Sequence, residues 1–554
     1  MTTADIILGA ALLLALLAWC LRPLPARSWL LAACIAAALA AGLHDIRQDR
    51  WQAWAGVAAA LVLLLALVIG RWRRRPLRTG WHVAGSVALA LPVLIAVAAL
   101  AMFPVSPLPA PSGQHSVGMR DFMLTDTSRT GVLNAAADEP RRLLVRVWYP
   151  AAPVPGAQPR QYFSDAETRV MVRGLGELVG FPPLLTHLRL VRTNTYENAP
   201  LATTNGHWPV IFFDHGYAAY TGASQALMET LASHGYLVYA VQHAGDAAPT
   251  LLPDGRALAT DPALVTHMRY FLEHGMPADV VRGFTSHDLG QRLDGQLAHI
   301  TGVRPPADRG YAVSAPVWLA DRLFVHDALQ AGRVPASVGD IVAASELTRT
   351  GAAGISFGGS TSAAVCLVDP RCAAAVNLDG GDFHAAGFDT DMPVPMLMFM
   401  ADLRGFYRLF GAEAPADARS LNDFSYERFE HAGQGRDMHR MQLLDSVHAG
   451  LTDNPLFLRR PLRDALFGTA PADVLVGVTN DTVLAFFDHY LRGAGNGFPQ
   501  AQYRQHADRL KPYDNSPVRR WWQALPAGQR TAIEARIAAM QQMRHAGATA
   551  GKTP

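Results

Sequence analysis

Gly354-Ile355-Ser356-Phe357-Gly358 narrows what this chain can fold into more than any other stretch. It is a G-x-S-x-G pattern set between two local signals. Residues 350–355 (TGAAGI) read as a short buried strand, and the Ala-rich run from Gly359 to Cys366 reads as a helix. A serine at a tight strand-to-helix turn needs small neighbours, because the backbone there is strained and crowded. Such a turn lifts the hydroxyl above the sheet, and the helix N-terminus behind it favours developing negative charge. Ser356 is therefore the candidate nucleophile, and the N–H of Phe357 the first candidate oxyanion donor.

The rest of the 554-residue chain is uneven. Half of it is hydrophobic, and four apolar runs crowd the first hundred residues, at 6–21, 29–43, 54–70 and 83–103. The first, third and fourth have the length of membrane-spanning helices; the second is short and Ala-rich. Several runs in succession exclude a lone signal peptide. Arg71, Arg73, Arg74, Arg75 and Arg78 lie between the third and fourth runs, and Arg22 and Arg27 between the first and second. The positive-inside rule keeps those loops in the cytoplasm and carries everything after about Pro104 outward. The expectation is an integral protein of the cytoplasmic (inner) membrane with its soluble region on the periplasmic side. Trp51, Trp54, Trp72 and Trp81 sit at run edges, as an interfacial aromatic belt does. A net charge of +2, with no basic patch outside the membrane loops, speaks against a nucleic-acid partner.

Residues 104–116 form a Pro-rich linker. From 117 to 515 buried strands alternate with helical stretches. The strands read at 143–149 (LLVRVWY), 209–214 (PVIFFD), 236–242, 350–355, 373–378, 396–400 and 441–444, with helices at 224–233 and 317–329. This alternation implies a mostly parallel sheet with helices on both faces, the α/β-hydrolase architecture when combined with the serine elbow. Two long mixed segments near 162–192 and 255–316 interrupt it and read as lid insertions. Residues 516–554 form a helical tail, helical over about 527–544 and ending in a small-residue stretch expected to be disordered.

A serine hydroxyl needs a base and an orienting acid, which this fold supplies in the chain order serine, acid, histidine. His448, in SVHAG, follows a strand and opens a loop, whereas His431 and His439 lie in a polar stretch. For the acid, Asp379 ends the strand after the serine's helix and Asp402 ends the next one; topology alone leaves the two level, with Asp382 and Asp445 weaker. Asp214-His215-Gly216-Tyr217 follows the PVIFF strand, so the N–H of Tyr217 is the second candidate oxyanion donor and His215 has a structural place. Cys366 and Cys372 flank a short helix-to-strand turn, and in an exported domain they are a candidate disulfide; Cys20 and Cys34 sit in apolar runs as fillers. His243 with Asp246, and Asp382 with His384, are the nearest thing to ligand pairs. No H-E-x-x-H, paired C-x-x-C or P-loop occurs, so no metal and no cofactor is expected.

PVIFFDHGY, LASHGYLVYAVQHAGD, GISFGGS, NLDGG and SVHAG together resemble the plasma and type-II platelet-activating-factor acetylhydrolases and their bacterial relatives. The likeness runs over about residues 117–493, and MRDFMLTDTSR…RRLLVRVWYP resembles the beginning of that domain. Relatives often carry His where this chain has Ile355, a position that points away from the chemistry. The resemblance implies a serine ester hydrolase acting on short-acyl or phospholipid-like esters, and it places the acid at Asp379. It says nothing about the apolar runs. Two other readings stay open from sequence: acyl transfer to an envelope molecule, and a non-catalytic receptor or scaffold that keeps a hydrolase shell.

Overall fold

The computed structural model describes residues 1–21, 25–72, 79–133, 136, 138–179, 185–301 and 310–550. Four helices open the chain: α1 (Thr3–Cys20), α2 (Pro25–Arg47), α3 (Ala53–Trp72) and α4 (Thr79–Met102). All four are long and apolar enough to cross a membrane. The start of α1 is set by a capping box, in which the Thr2 hydroxyl accepts from the Asp5 N–H and the Asp5 carboxylate from that of Thr2. The second helix is longer than the apolar run 29–43 because polar residues extend it. Asp45 is buried on its last turn, where the Thr2 hydroxyl donates to it at 3.3 Å. Nearby, Arg50 and Asp5 form a fully buried ion pair at 2.9 Å. Arg22, Arg73, Arg74, Arg75 and Arg78, on which the orientation argument leans, lie outside the described residues.

Beyond the linker, ten strands make one sheet. They are β1 (Ser116–Thr130), β2 (Pro140–Ala151), β3 (Thr195–Glu197), β4 (Trp208–Asp214), β5 (Leu237–Gln242), β6 (Ser345–Ile355), β7 (Cys372–Leu378), β8 (Met396–Met400), β9 (Met438–Leu443) and β10 (Leu510–Pro512). Their order is β10-β9-β8-β7-β6-β4-β5-β2-β1-β3. The six strands β4 to β9 run parallel, while β1, β2 and β10 pair antiparallel with their neighbours. The continuous apolar runs of β4 and β5 follow from burial on both faces. Ile211 and Phe213 face the helices Gln225–Ser233 and Ala472–Arg492, whereas Val210 and Phe212 face the helix Tyr311–Gln330. This is the α/β-hydrolase architecture expected from the alternation. It also aligns the C-terminal ends of the parallel strands along one edge.

Both long segments hold helical pieces, as their patterns implied. The first contains Arg173–Val179 and a 3₁₀ turn over Thr186–Leu190; the second contains Pro262–His274, Ala278–Thr285 and Leu289–Thr301. Part of each, 180–184 and 302–309, lies outside the described residues. The helix read at 317–329 begins earlier, at Tyr311, and carries Pro316 inside it, past the first turn, so that the hydrogen bond to the Ala312 carbonyl is missing there. The tail differs from its sequence reading. Its last helix, Ala527–Ala550, runs through the small-residue stretch expected to be disordered, because alanines there are strong helix formers. Residues 551–554 lie outside the described residues. The tail is not detached: Val518, Trp522, Ile537 and Met540 pack in one buried cluster with Leu293, Leu297, Phe388, Phe424 and Phe429.

Candidate active site

Ser356 stands between the last residue of β6 and the helix Phe357–Val368, with φ 57° and ψ −123°. That left-handed backbone is costly for a non-glycine residue and is held here by crowding on every side. A Cβ at Gly358 would collide with the Asp214 and His215 carbonyls, and one at Gly354 with Gly358. The two glycines of the motif are thus dictated by the close approach of β4, β6 and the helix. Ile355 is buried in the core beneath the turn, on the side away from the hydroxyl.

The next parallel strand brings Asp379 alongside. Ile355 pairs with Leu378, and the Ser356 N–H donates to the Leu378 carbonyl at 2.9 Å. Asp379, one residue on, also has positive φ, 55°. Its turn is clamped by an amide that the sequence motifs did not single out. The Gly380 N–H donates to Asn377 Oδ1 at 2.7 Å, and both Asn377 and Asn422 donate to the Gly380 carbonyl. Asp379 Oδ1 accepts from the Ala401 N–H at 2.9 Å, which fixes the carboxylate plane, and Oδ2 meets His448 Nδ1 at 2.7 Å.

His448 begins a 3₁₀ turn just after β9, and its side chain is half exposed while that of Asp379 is mostly covered. Partial burial alone would hold the imidazole neutral. The hydrogen bond and negative charge of Asp379 outweigh it, so the His448 pKa lies above the ordinary 6.5. The bond to Asp379 fixes the proton on Nδ1 and leaves Nε2 as the acceptor of the neutral form. Among the described residues no hydrogen bond joins Ser356 Oγ to His448. The structure therefore brings Asp379 and His448 into contact and sets Ser356 on the adjacent strand end.

Asp402 has other partners. It caps the helix Leu403–Leu409 through the Arg404 N–H, pairs with the Arg404 guanidinium at 2.5 Å, and accepts from the Asp445 N–H at 2.8 Å. These bonds hold its pKa below the usual carboxylate value against the burial that opposes them. The rival histidines are also engaged elsewhere, His431 with Asp391 at 2.9 Å and His439 with the Tyr490 hydroxyl at 2.6 Å.

The loop after β4 lies against the serine, since a Cβ on Gly216 would stand 3.5 Å from that of Ser356. Tyr217 follows, its ring 5.1 Å from that of Phe357 and its hydroxyl 2.9 Å from Ser314 Oγ. Phe357 is the first residue of its helix, where an N–H has no partner within the helix. His215 is fully buried: its Nδ1 bonds the Gly216 carbonyl, and its Nε2 accepts from the His243 N–H. Burial, then the nearby His243, pushes its pKa down to about 3, so it is a neutral brace of the loop. Tyr311 and Phe383, with rings 4.3 Å apart, extend an aromatic wall from Phe357 over the elbow.

The residues paired as conceivable ligands do other work. His243 lies between Asp214 and Asp321 and stacks on Trp318, whose Nε1 donates to Asp246. His384 bonds Thr361, and Asp382 accepts from the Gly387 N–H. Cys366 and Cys372 are joined as a disulfide across the turn between the elbow helix and β7.

Comparison with known proteins agrees with the motifs. Residues 100–253 match the family described as platelet-activating factor acetylhydrolase, isoform II. That span holds β1 to β5 with the Tyr217 loop and stops short of the elbow. A platelet-activating factor acetylhydrolase from Cavia porcellus is 23% identical over 404 residues, covering 71% of this chain and 80% of that protein. The solved structure of a ferulic acid esterase from Streptomyces cinnamoneus shares the fold with a TM-score of 0.50 at 22% identity, over 74% of this chain and 100% of that one. The resemblance read from the sequence blocks is borne out, and the chain is a carboxylic ester hydrolase.

Proposed function

We propose that this carboxylic ester hydrolase works through Ser356, His448 and Asp379 by way of an acyl-enzyme. The contact that carries the reading is the 2.7 Å bond between His448 and Asp379, one strand from the serine elbow. Ser356 Oγ attacks the ester carbonyl while His448 Nε2 takes its proton. The N–H groups of Tyr217 and Phe357 receive the negative charge that builds on the carbonyl oxygen. His448 then protonates the departing alcohol, and in the second half it draws a proton from water, whose oxygen attacks the acyl group; His448 returns that proton to Ser356 Oγ as the acid leaves. Asp379 keeps the Nδ1 proton in place and stabilises the imidazolium.

The substrate in this reading is a short-acyl or phospholipid-like ester. The likeness to platelet-activating factor acetylhydrolases and four helices fit for a bilayer support it. In the same reading α1–α4 anchor residues 117–515 as the catalytic domain on the outer side of the membrane, since the arginine-rich loops favour the cytoplasm. The test is labelling by a fluorophosphonate followed by p-nitrophenyl esters of increasing chain length. Ser356 should carry the label and short chains should turn over fastest. An unlabelled Ser356 in folded protein would sink the mechanism.

A further inference from the structure

The edge of the sheet that carries the catalytic residues is also the edge that meets the N-terminal helices. The Arg459 N–H, in the loop leaving β9 after His448, donates to the carbonyl of Met102, the last residue of α4, at 2.9 Å. Arg189 in the first insertion pairs at 2.7 Å with Asp49, in the turn joining α2 to α3, and Thr186 donates to the Asp49 carbonyl at 3.0 Å. Val105 and Leu108, just past α4, join a buried cluster with Tyr220, Ala223, Ala248 and Phe457. All four of those residues lie in loops leaving the C-terminal ends of β4, β5 and β9.

That same edge carries apolar surface. Beyond Met102, five large apolar side chains among the described residues are exposed: Tyr270 (41%), Phe271 (38%), Leu272 (51%), Val368 (50%) and Leu466 (49%). The first three are consecutive on the helix Pro262–His274, which follows β5. Its Leu264 packs inward with Leu178 and Ala218, next to Tyr217, while its last turn projects outward. Leu466 lies on the short helix Leu462–Phe467, which follows Arg459. Arg459 and Arg460 stand exposed before it, with Arg460 and Arg463 both reaching Asp464. Only Val368 is elsewhere, at the far end of the elbow helix, toward the opposite edge of the sheet.

We propose that the catalytic edge of the sheet rests on the lipid surface, with Tyr270-Phe271-Leu272 and the 459–466 segment as its two contacts, so that ester substrates enter from the bilayer. This rests on the reading that α1–α4 span a membrane. Continuity selects lipid over another occupant: the helix-to-domain bonds hold this edge at the ends of α2, α3 and α4, where the bilayer surface must lie. The composition agrees, since Tyr, Phe and Leu beside arginines suit the interface between acyl chains and anionic headgroups.

The test uses the full chain in phosphatidylcholine/phosphatidylglycerol vesicles. In a Cys20→Ser/Cys34→Ser background with the disulfide kept oxidised, an environment-sensitive fluorophore is placed at Phe271→Cys or, as a control, at Val368→Cys. Spin-labelled phosphatidylcholine should quench position 271 at least about threefold more than position 368, and aqueous iodide should do the reverse. Equal quenching of both positions by lipid would overturn the proposal, as would protein-concentration-dependent cross-linking through position 271, which would assign the patch to a second copy. Phe271→Asp/Leu272→Asp should raise KM for an ester embedded in the vesicles about fivefold or more, while kcat/KM for soluble p-nitrophenyl acetate stays within about twofold. An unchanged KM would likewise reject it. Loss of all esterase activity in the unmutated protein would instead strike the proposed mechanism, and the quenching result would still decide the surface.

Discussion

His448 and His243 each stand beside carboxylates, and the contrast between them shows what a base requires. His448 touches one carboxylate, Asp379, at 2.7 Å, and its side chain is half open. His243 is fully buried, with Asp321 at 3.0 Å on one ring nitrogen and Asp214 at 3.2 Å on the other. Both its nitrogens are committed, and Asp214 and Asp321 are tied in turn to Arg322, Arg141 and Arg129. A histidine in that position fastens β4, β5 and the helix Tyr311–Gln330 together beneath the oxyanion loop, but it has no lone pair to offer a substrate. His448 keeps Nε2 for one. In the proposed mechanism the base is thus the histidine paired on one side only, not the one with more partners.

The largest expected effect is at the serine and its base. Ser356→Ala and His448→Gln should each lower kcat by about 10⁴ to 10⁶, because members of a triad act as a unit. Thermal melting should move little for either. A His448→Gln enzyme within about tenfold of wild type would erase the distinction between the two histidines.

Asp379→Asn should cost about 10³ to 10⁴ in kcat, since the Nδ1 tautomer is no longer fixed. Asp402→Asn should cost under about tenfold and act on stability instead, by loosening the bonds to Arg404 and Asp445. The reverse ranking in steady-state kinetics would move the acid to Asp402.

The pH profile sharpens the same point. In the proposed mechanism neutral His448 is the base, so kcat/KM should climb as pH rises, along a limb set above the ordinary histidine value of 6.5 because Asp379 favours the charged form. In the residual activity of Asp379→Asn, with burial left unopposed, the limb should move to lower pH. A limb that stays in place would mean that the carboxylate does not tune this imidazole.

His243→Gln should show the opposite balance to His448→Gln. It leaves two buried carboxylates without their shared partner, at a cost of about 3–5 kcal/mol by denaturant unfolding. The kcat of the folded protein at low temperature should stay within about tenfold. A collapse of kcat without loss of stability would give His243 a direct part in the chemistry.

The smallest effect is expected from Cys366→Ala/Cys372→Ala. The bridge spans a sequence separation of 6, and so short a loop contributes at most about 2–3 kcal/mol through the unfolded chain. Melting should fall modestly with kcat preserved, and mass spectrometry of unreduced, alkylated protein should find both thiols blocked in a protein exported to an oxidising compartment. Full alkylation of both would count against export.

What the sequence determined by itself was everything carried by short-range pattern. The elbow follows from glycines whose Cβ atoms would strike neighbouring backbone, and the central strands from apolar runs buried on both faces. The four membrane-length helices follow from uninterrupted apolar stretches. Even the length of α2 was only partly legible, because its last turn depends on a buried Asp45 bonded across the bundle to Thr2. The order of the tail followed from alanine-rich helix propensity that the small-residue reading underweighted. In the proposed mechanism, the preference for Asp379 over Asp402 rests on contacts that exist only in three dimensions. Both end parallel strands on the same edge, and strand pattern alone cannot separate them. Asp379 meets a histidine 69 residues away, whereas Asp402 is occupied by Arg404, two residues on, and by the distant Asp445 backbone. An acid is defined by which base the crossovers deliver to it, and that is a property of the packed sheet rather than of any stretch of sequence.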